Sequence, residues 1–119
     1  MTRKLCAQNH PQPLLERLQV ADSLWTRTKG LLGRQNLPEN EGLWILRCNS
    51  IHTFFMKFAI DLVFVDRNLK VLKTYRGVKP GRVIFPVWHA TSVIELKSGF
   101  LNKHPLRQGE QLHVDPTLS

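Results

Sequence analysis

Apolar residues run from Ile60 to Val65 at both alternating positions, interrupted only by Asp61. A strand that is solvated on one face alternates apolar and polar residues, whereas a strand covered on both faces does not. The pattern therefore predicts Ile60–Val65 as a central strand, with Asp61 as the exception at its entrance. The segment before it, Ile51–Phe58, is aromatic and is predicted to be a strand or an arch leading into the central one.

Short apolar segments separated by turn residues occupy much of the remaining chain. Further strands are predicted over Leu14–Val20, Leu43–Cys48, Leu69–Arg76, Val83–Phe85, Ser92–Lys97 and Gln111–Val114. In Ser92–Lys97 the alternation predicts one solvated face, and Glu95 is expected to lie on it. One stretch, about residues 22–33, has apolar residues at helical spacing and predicts a single short helix.

These elements together predict a mainly β domain, either a small β-sandwich or a partly open barrel, with the helix covering one opening. The first thirteen residues are polar and contain two prolines. We expect residues 1–13 to form a loosely ordered lead-in and residues 14–119 to form a single domain.

The number of cysteines and the first residues of the sequence indicate the cellular compartment. Two cysteines, Cys6 and Cys48, are too few for the disulfide framework of a small secreted scaffold. The basic residues near the beginning are not followed by the apolar core of a signal peptide, and no membrane span is expected. The sequence therefore predicts a cytoplasmic protein.

The formal net charge is +8, and the segment Arg67–Ile94 contains six basic residues and no acidic one. Such a field attracts nucleic acid, anionic lipid or an acidic partner, although a solubilising basic surface is the simplest explanation. Sequence-independent nucleic-acid binding is therefore an alternative function, carried by Arg67, Lys70, Lys73, Arg76, Lys79 and Arg82.

Polar side chains interrupt the most apolar part of the chain. A carboxyl group on an otherwise apolar strand must be paired, hydrogen-bonded or neutral, and Arg27 or His52 is the expected partner of Asp61. A buried ion pair that fixes register is the structural interpretation, and an acid–base pair of His52 and Asp61 is the catalytic one. The predicted ligand-binding set is Arg27, His52, Thr53, Met56, Asp61 and Glu95.

Cys48 and His52 form a C-x3-H pair, which is too small for a closed zinc site because such a site needs four ligands. Residues four apart in a continuous strand are also separated by roughly 13 Å, at about 3.3 Å per residue, which argues against a nucleophile–base pair. We therefore predict a buried structural cysteine, no metal site and no cofactor. No Ser-His-Asp order, phosphate-binding glycine loop or zinc-protease helix is found, which makes an enzyme the less favoured interpretation.

Several short segments, taken in their order along the chain, resemble those of a known family. They are residues 27–34 (RTKGLLGR), 42–44 (GLW), 51–58 (IHTFFMKF), 60–66 (IDLVFVD) and 93–96 (VIEL), with Gly99 and Gly109 beyond them. This combination resembles the prokaryotic family known as domain of unknown function 192. The resemblance covers about Ala21 to Val114 and implies a small, mainly β, sandwich-like domain without an established activity. The chain has Ala59 where the family usually has proline, and Glu110 where it usually has aspartate.

The leading hypothesis is a cytoplasmic, non-catalytic accessory or ligand-binding domain with a polar site around His52 and Asp61. Its partner would be an unknown ligand or protein. The alternatives are the nucleic-acid binding described above, in which the domain takes up a polyanion weakly, and a small hydrolase or lyase that uses His52 and Asp61 as acid and base.

Overall fold

The computed structural model describes residues 2–22 and 34–116. The helix predicted over about residues 22–33 lies, apart from its first residue, outside the described residues, and so does the candidate Arg27. The elements that are described are β1 (Thr2–Ala7), β2 (Leu15–Ala21), β3 (Glu41–Leu46), β4 (Ile51–His52), β5 (Ile60–Val65), β6 (Val71–Val78), β7 (Val83–Ile84), β8 (Ser92–Lys97), α1 (Phe100–Lys103) and β9 (Leu112–Pro116).

Seven strands form one sheet in the order β6-β5-β8-β3-β2-β1-β9, and β4 pairs with β7 in a separate small sheet. Strands β2 and β3 run parallel, and every other neighbouring pair is antiparallel. The domain is therefore mainly β, as the sequence predicts, and the helix present in the described part of the chain is one short turn after β8.

The large sheet is not closed into a barrel, but its two edge strands meet at one corner. Lys70, just before β6, forms an isolated bridge with Gln111, just before β9. Next to it, the N–H of Val71 donates to the carbonyl of Glu110 at 2.9 Å. The architecture thus corresponds to the partly open form of the two predicted alternatives.

Each face of the large sheet carries its own hydrophobic core. On one face, here called the helix face, Val63 and Ile94 pack with Phe100 and Leu101 of α1. On the other, called the arch face, a second core joins sheet residues such as Leu62, Phe64 and Val93 to Ile51 and Met56 from the region of the small sheet. The alternation of strand side chains between two faces assigns each polar residue to one of these cores.

Both faces of the large sheet are covered, which confirms one prediction and shows that another is wrong. Every residue of β5 is buried, as the unbroken apolar pattern of Ile60–Val65 predicts. The prediction of a solvated face for Ser92–Lys97 is wrong, because all residues of β8 except Lys97 are buried. Strand β8 lies between β5 and β3 in the middle of the sheet, so both of its faces are covered.

The structure also differs from the prediction of a loosely ordered lead-in. Residues Thr2–Ala7 form β1, which is inserted between β2 and β9, and the side chain of Leu5 is fully buried on the helix face. Pairing on both sides satisfies the backbone groups of this polar segment, which a lead-in would leave to water. No helix in the described residues is long and apolar enough to cross a membrane.

Candidate functional site

Asp61 is completely buried and bonded to backbone amides on two other elements. Its Oδ1 atom accepts a hydrogen bond from the N–H of Gly77 at 2.8 Å, and its Oδ2 atom accepts one from the N–H of Leu101 at 2.9 Å. Gly77 lies where β6 has an irregular register opposite β5, with a φ angle of 60°. Asp61 therefore fixes the end of β6 and the first turn of α1 to the sheet.

Glu95 is also completely buried, but on the other face of the sheet. It lies opposite Leu43 of β3 and Leu62 of β5, both of which belong to the core of the arch face. Asp61 lies opposite Leu96, which belongs to the core of the helix face. The two carboxyl groups therefore point to opposite faces of the sheet, and the expectation that Glu95 is solvated is wrong.

Thr53 joins the segment after β4 to the loop before β7. Its hydroxyl donates to the carbonyl of Lys79 at 2.7 Å and accepts from the N–H of Arg82 at 2.8 Å. Its own N–H donates to the Arg82 carbonyl at 2.8 Å, and its carbonyl accepts from the N–H of Gly81 at 2.9 Å. Every polar atom of this fully buried residue is used to hold the two segments together.

The remaining predicted residues lie on the arch face. Met56 is buried in its core, and Cys48 is buried with its thiol donating to the carbonyl of Ser50 at 2.9 Å. His52 is half-buried, and its ring stacks on Phe54 with 5.3 Å between centroids. Among the predicted ligand-binding residues that the structure describes, His52 alone reaches the surface.

The structure does not bring all the described members of the predicted polar set into one place. Asp61 lies on the helix face, whereas Thr53 and Met56 belong to the segment that covers the arch face. His52 is on that same segment, so the acid–base arrangement of His52 and Asp61 does not form. Both oxygens of Asp61 accept hydrogen bonds from backbone amides, and the other predicted partner, Arg27, lies outside the described residues. Ligand binding by the set as a whole stays a prediction.

The six basic residues of the nucleic-acid alternative are all exposed. They extend from Arg67, in the turn before β6, along this edge strand to Arg82, just before β7. Lys73 and Arg76 lie in the edge strand β6 itself, where basic side chains discourage pairing with another chain.

A different surface stands out for its exposed apolar groups. The small sheet pairs Ile51 with Ile84 and His52 with Val83. Ile51 and Ile84 pack against the core of the arch face, so the alternate residues of the two strands face outward. The exposed large hydrophobic side chains of the described residues all belong to this small sheet or to the turns beside it: Phe54, Phe55, Val83, Phe85 and Trp88. We call these five residues, with His52, the aromatic surface.

Two tight turns present the most exposed rings. The N–H of Met56 donates to the carbonyl of Thr53, which places Phe54 and Phe55 at the centre of one turn. The N–H of Ala90 donates to the carbonyl of Val87, which places Trp88 and His89 at the centre of the other. Phe55 and His89 have φ angles of 67° and 69°, a left-handed conformation that glycine usually occupies. Side chains of this size there strain the backbone, and such strain is commonly found at functional sites.

A surface cleft adjoins the second turn. It has a volume of about 450 Å³ and lies between Lys73 and Tyr75 of β6 and the segment Val83–Trp88. The Tyr75 ring packs edge-on against the buried Phe64, and the Lys73 ammonium lies 5.0 Å from the centroid of that tyrosine ring. The cleft therefore combines one ring that is packed against the core with a cation at the surface.

Comparison with known proteins identifies the family. The model of domain of unknown function 192, described as Uncharacterized ACR, matches residues 5–114. The chain belongs to this family. The match confirms the resemblance found in the sequence, and the family description assigns no activity.

Two relatives of the chain have names that state no function. The chain is 36% identical to a UPF0127 protein of Pyrococcus horikoshii over 83 residues, which cover 66% of the chain and 70% of that protein. It is 30% identical to a UPF0127 protein of Thermococcus sibiricus over 102 residues, which cover 81% of the chain and 64% of that protein. The chain thus spans less than two thirds of the second relative.

The fold of this family member also occurs in a solved structure. A protein of unknown function from Novosphingobium aromaticivorans superimposes with a TM-score of 0.80, at 17% sequence identity, over 92% of the chain and 83% of that protein. This similarity confirms the fold and carries no functional assignment.

Sequence reasoning missed the aromatic surface for a definite reason. Residues 51–58 contain three phenylalanines, and an apolar run of this kind is usually buried. Exposure of Phe54 and Phe55 follows from the turn that Thr53 closes with Met56, which no local apolar pattern encodes. The available signal was the separate aromatic group of Phe85 and Trp88 in a segment that also contains Pro86.

Proposed function

We propose that the protein is a non-catalytic accessory domain that binds an acidic protein partner through the aromatic surface. The observation that carries the proposal is the concentration of exposed rings. Phe55, Phe85 and Trp88 are 84%, 79% and 83% exposed, all beside one small sheet. Phe55 lies at the end of the small sheet where Thr53 bonds to Gly81 and Arg82, and Phe85 and Trp88 lie towards the other end, where Val87 bonds to Asn49. Single exposed apolar residues are ordinary on protein surfaces, whereas a larger exposed apolar area marks an interaction surface.

The backbone beneath the aromatic surface is anchored to the core. Ile51 and Ile84 anchor the two strands in the core of the arch face, and Thr53 fixes the neighbouring loop through its side chain and backbone. A surface that is already ordered loses little conformational entropy when a partner binds. His52, the predicted site residue that reaches the surface, lies in this surface and contributes its ring to the stack with Phe54.

Charge supports an acidic partner. The segments Leu43–Ile60 and Arg67–Ile94, which build the aromatic surface and its surroundings, contain basic residues and no acidic ones. Lys79 and Arg82 flank the turn of Phe55 through their backbone bonds to Thr53, and Lys73 lines the cleft beside Trp88. Electrostatic complementarity of this kind speeds association and selects against basic partners.

The composition of the surface favours a protein over a nucleic acid. Val83 and Pro86 lie among the rings, and aliphatic groups bury well in a protein interface but give bases nothing to stack on. Tryptophan is among the residues that contribute most when an interface core is formed. The two cysteines are buried and free, which supports a reducing compartment and thus the cytoplasm.

Site-specific photocrosslinking in bacterial cells tests the proposal. A benzophenone amino acid is placed at Trp88 in the full chain, and the same group is placed at the exposed Arg107, beyond α1, as the control. We expect a discrete protease-sensitive adduct from position 88 and none from position 107. Arg82→Glu should weaken the adduct by about tenfold, whereas Arg107→Glu should leave it unchanged, because the partner is acidic.

Three outcomes would contradict the proposal. One is the absence of any adduct at position 88. Another is an adduct that survives protease and is removed by nuclease or lipid extraction. The third is a protein adduct whose yield does not respond to charge reversal at Arg82.

A further inference from the structure

The pairing of β1 with β9 brings three potential metal ligands together. Cys6 lies directly opposite His113, and Lys4 lies opposite Asp115. Residues opposite each other on neighbouring strands point to the same face, and so do residues two apart on one strand. Cys6, His113 and Asp115 therefore project from the same face of the sheet although more than a hundred residues separate the first from the others.

The distances between the ligand atoms suit a tetrahedral cation. The Cys6 Sγ and Asp115 Oδ2 atoms are 3.7 Å apart, and His113 Nε2 lies 3.5 Å from the same oxygen. All three ligand atoms lie within 4.8 Å of one another. Tetrahedral zinc, with bonds of about 2.0–2.3 Å, holds its ligands roughly 3.3–3.6 Å apart. The three side chains need to move by only small amounts to reach that geometry.

The cluster of Cys6, His113 and Asp115 is open to solvent on one side. Cys6 is buried, whereas the side chains of His113 and Asp115 are 53% and 56% exposed. A thiolate, an imidazole and a carboxylate are ligands typical of zinc, and a solvent-facing position can be filled by water. The nearby Lys4 is paired with Glu16 at 3.8 Å, which offsets its charge beside the site.

We propose that Cys6, His113 and Asp115 bind one Zn²⁺ ion, with water as the fourth ligand. The ion would tie β9 to β1 and so complete the exposed end of the large sheet. The proposal is independent of the aromatic surface, which belongs to the small sheet on the arch face. It also changes the expectation of no metal site, which rested on ligand spacing along the sequence and could not detect ligands on paired strands.

Binding of Co²⁺ to the purified full chain tests the site, because tetrahedral cobalt with a thiolate ligand has characteristic visible and near-ultraviolet absorption. We expect one equivalent to produce both bands and Zn²⁺ to displace them. The variants Cys6→Ser and Cys48→Ser are compared, because the chain contains one cysteine inside the cluster and one outside it. Cys6→Ser should abolish the thiolate band, and Cys48→Ser should leave it intact.

Two surface variants separate ligand loss from misfolding. His113→Gln and Asp115→Asn change exposed side chains, and circular dichroism of both should match the wild type. Each should weaken Zn²⁺ binding by more than about tenfold, since even the loss of an outer-shell partner has that effect. Absence of the cobalt bands in the folded wild type would overturn the proposal. So would bands that persist in Cys6→Ser, or Zn²⁺ affinity that is unchanged in both surface variants.

Discussion

The Oδ2 atom of Asp61 accepts a hydrogen bond of 2.9 Å from the backbone N–H of Leu101, 40 residues further along the chain. The bond fixes α1 to β5 through a carboxyl group that has no contact with solvent. A buried carboxyl group that looked like a reacting group in the sequence thus stabilises the junction between the helix and the sheet.

Replacement of Asp61 by alanine should destabilise the protein by about 3 kcal/mol. Two backbone N–H groups, those of Gly77 and Leu101, would lose a charged or strongly polar acceptor, and such groups are expensive to leave unpaired. The free energy of unfolding, measured by urea denaturation, checks this value. Asp66→Ala is the matched control, because Asp66 also accepts two backbone bonds, from Asn68 and Lys70, but at an exposed turn.

Asp66→Ala should lower the free energy of unfolding by about 1 kcal/mol or less, since water replaces the lost acceptor. Equal losses for the two variants would contradict a structural role for burial at Asp61.

Replacement of Thr53 by valine keeps the shape of the side chain and removes its hydroxyl. The Lys79 carbonyl and the Arg82 N–H would lose their partner, so we expect a loss of about 1–3 kcal/mol in unfolding free energy. Amide hydrogen exchange at Arg82 should also become faster. Thr53→Ser retains the hydroxyl and should keep the slow exchange; rapid exchange in the serine variant would show that the hydroxyl is not what holds the loop.

Phe55 offers a test of strain in the aromatic surface. Its φ angle of 67° disfavours a large side chain, and its ring is largely exposed, so Phe55→Gly relieves strain and removes little packing. We expect the free energy of unfolding to stay the same or rise by up to about 1 kcal/mol. Crosslinking from position 88 should fall, because the partner loses a ring. A loss of stability above about 1 kcal/mol would mean that the ring is packed against the protein.

Gly42 lies where β3 is tightly packed on the helix face. A Cβ atom added there would lie 2.6 Å from Leu15 Cδ2, 3.0 Å from Leu96 Cδ2 and 3.2 Å from the carbonyl oxygen of Glu95. Both leucines are buried and cannot move freely, so Gly42→Ala should cost about 1–3 kcal/mol. Leu15→Val in the same chain should recover part of that loss in urea denaturation; additive losses would refute the steric explanation.

Glu39 and Lys103 form a salt bridge between the connector before β3 and the end of α1. The hydrogen bond from Lys103, followed by the charge of that residue, lowers the pKa of the Glu39 carboxyl below its ordinary value. Carboxyl titration by nuclear magnetic resonance should show this shift. Lys103→Met should raise the pKa of Glu39 towards its usual value. Lys97→Met should raise it less, because the charge of Lys97 has a smaller effect on this carboxyl group. A larger response to Lys97→Met would contradict the assignment.

Local patterns in the sequence predicted the parts of the fold that depend on neighbouring residues. The continuous apolar run of Ile60–Val65 identified β5 with the correct bounds, because burial on both faces removes alternation. The requirement that Asp61 be paired, hydrogen-bonded or neutral was met by its two hydrogen bonds. Its partners were not predictable, since Leu101 belongs to a four-residue helix that lacks a recognisable periodic pattern.

Features that depend on the order of strands escaped prediction. Glu95 alternates with apolar residues, as a solvated residue of an edge strand would. It is buried because β8 lies between β5 and β3 in the middle of the sheet. Polar Thr2–Ala7 becomes a strand because β2 and β9 pair with it, and β9 is over a hundred residues away. The same long separation hid the cluster of Cys6, His113 and Asp115.

The insertion of β1 between β2 and β9 has a consequence for biosynthesis. At about 5–20 residues per second, the ribosome needs roughly 5–20 s to make the chain between Ala7 and Leu112. Throughout that interval the outer side of β1 presents unpaired N–H and C=O groups, which are a template for association with other nascent chains. Chaperone occupancy on the emerging polypeptide should therefore be concentrated on this first strand until β9 leaves the exit tunnel.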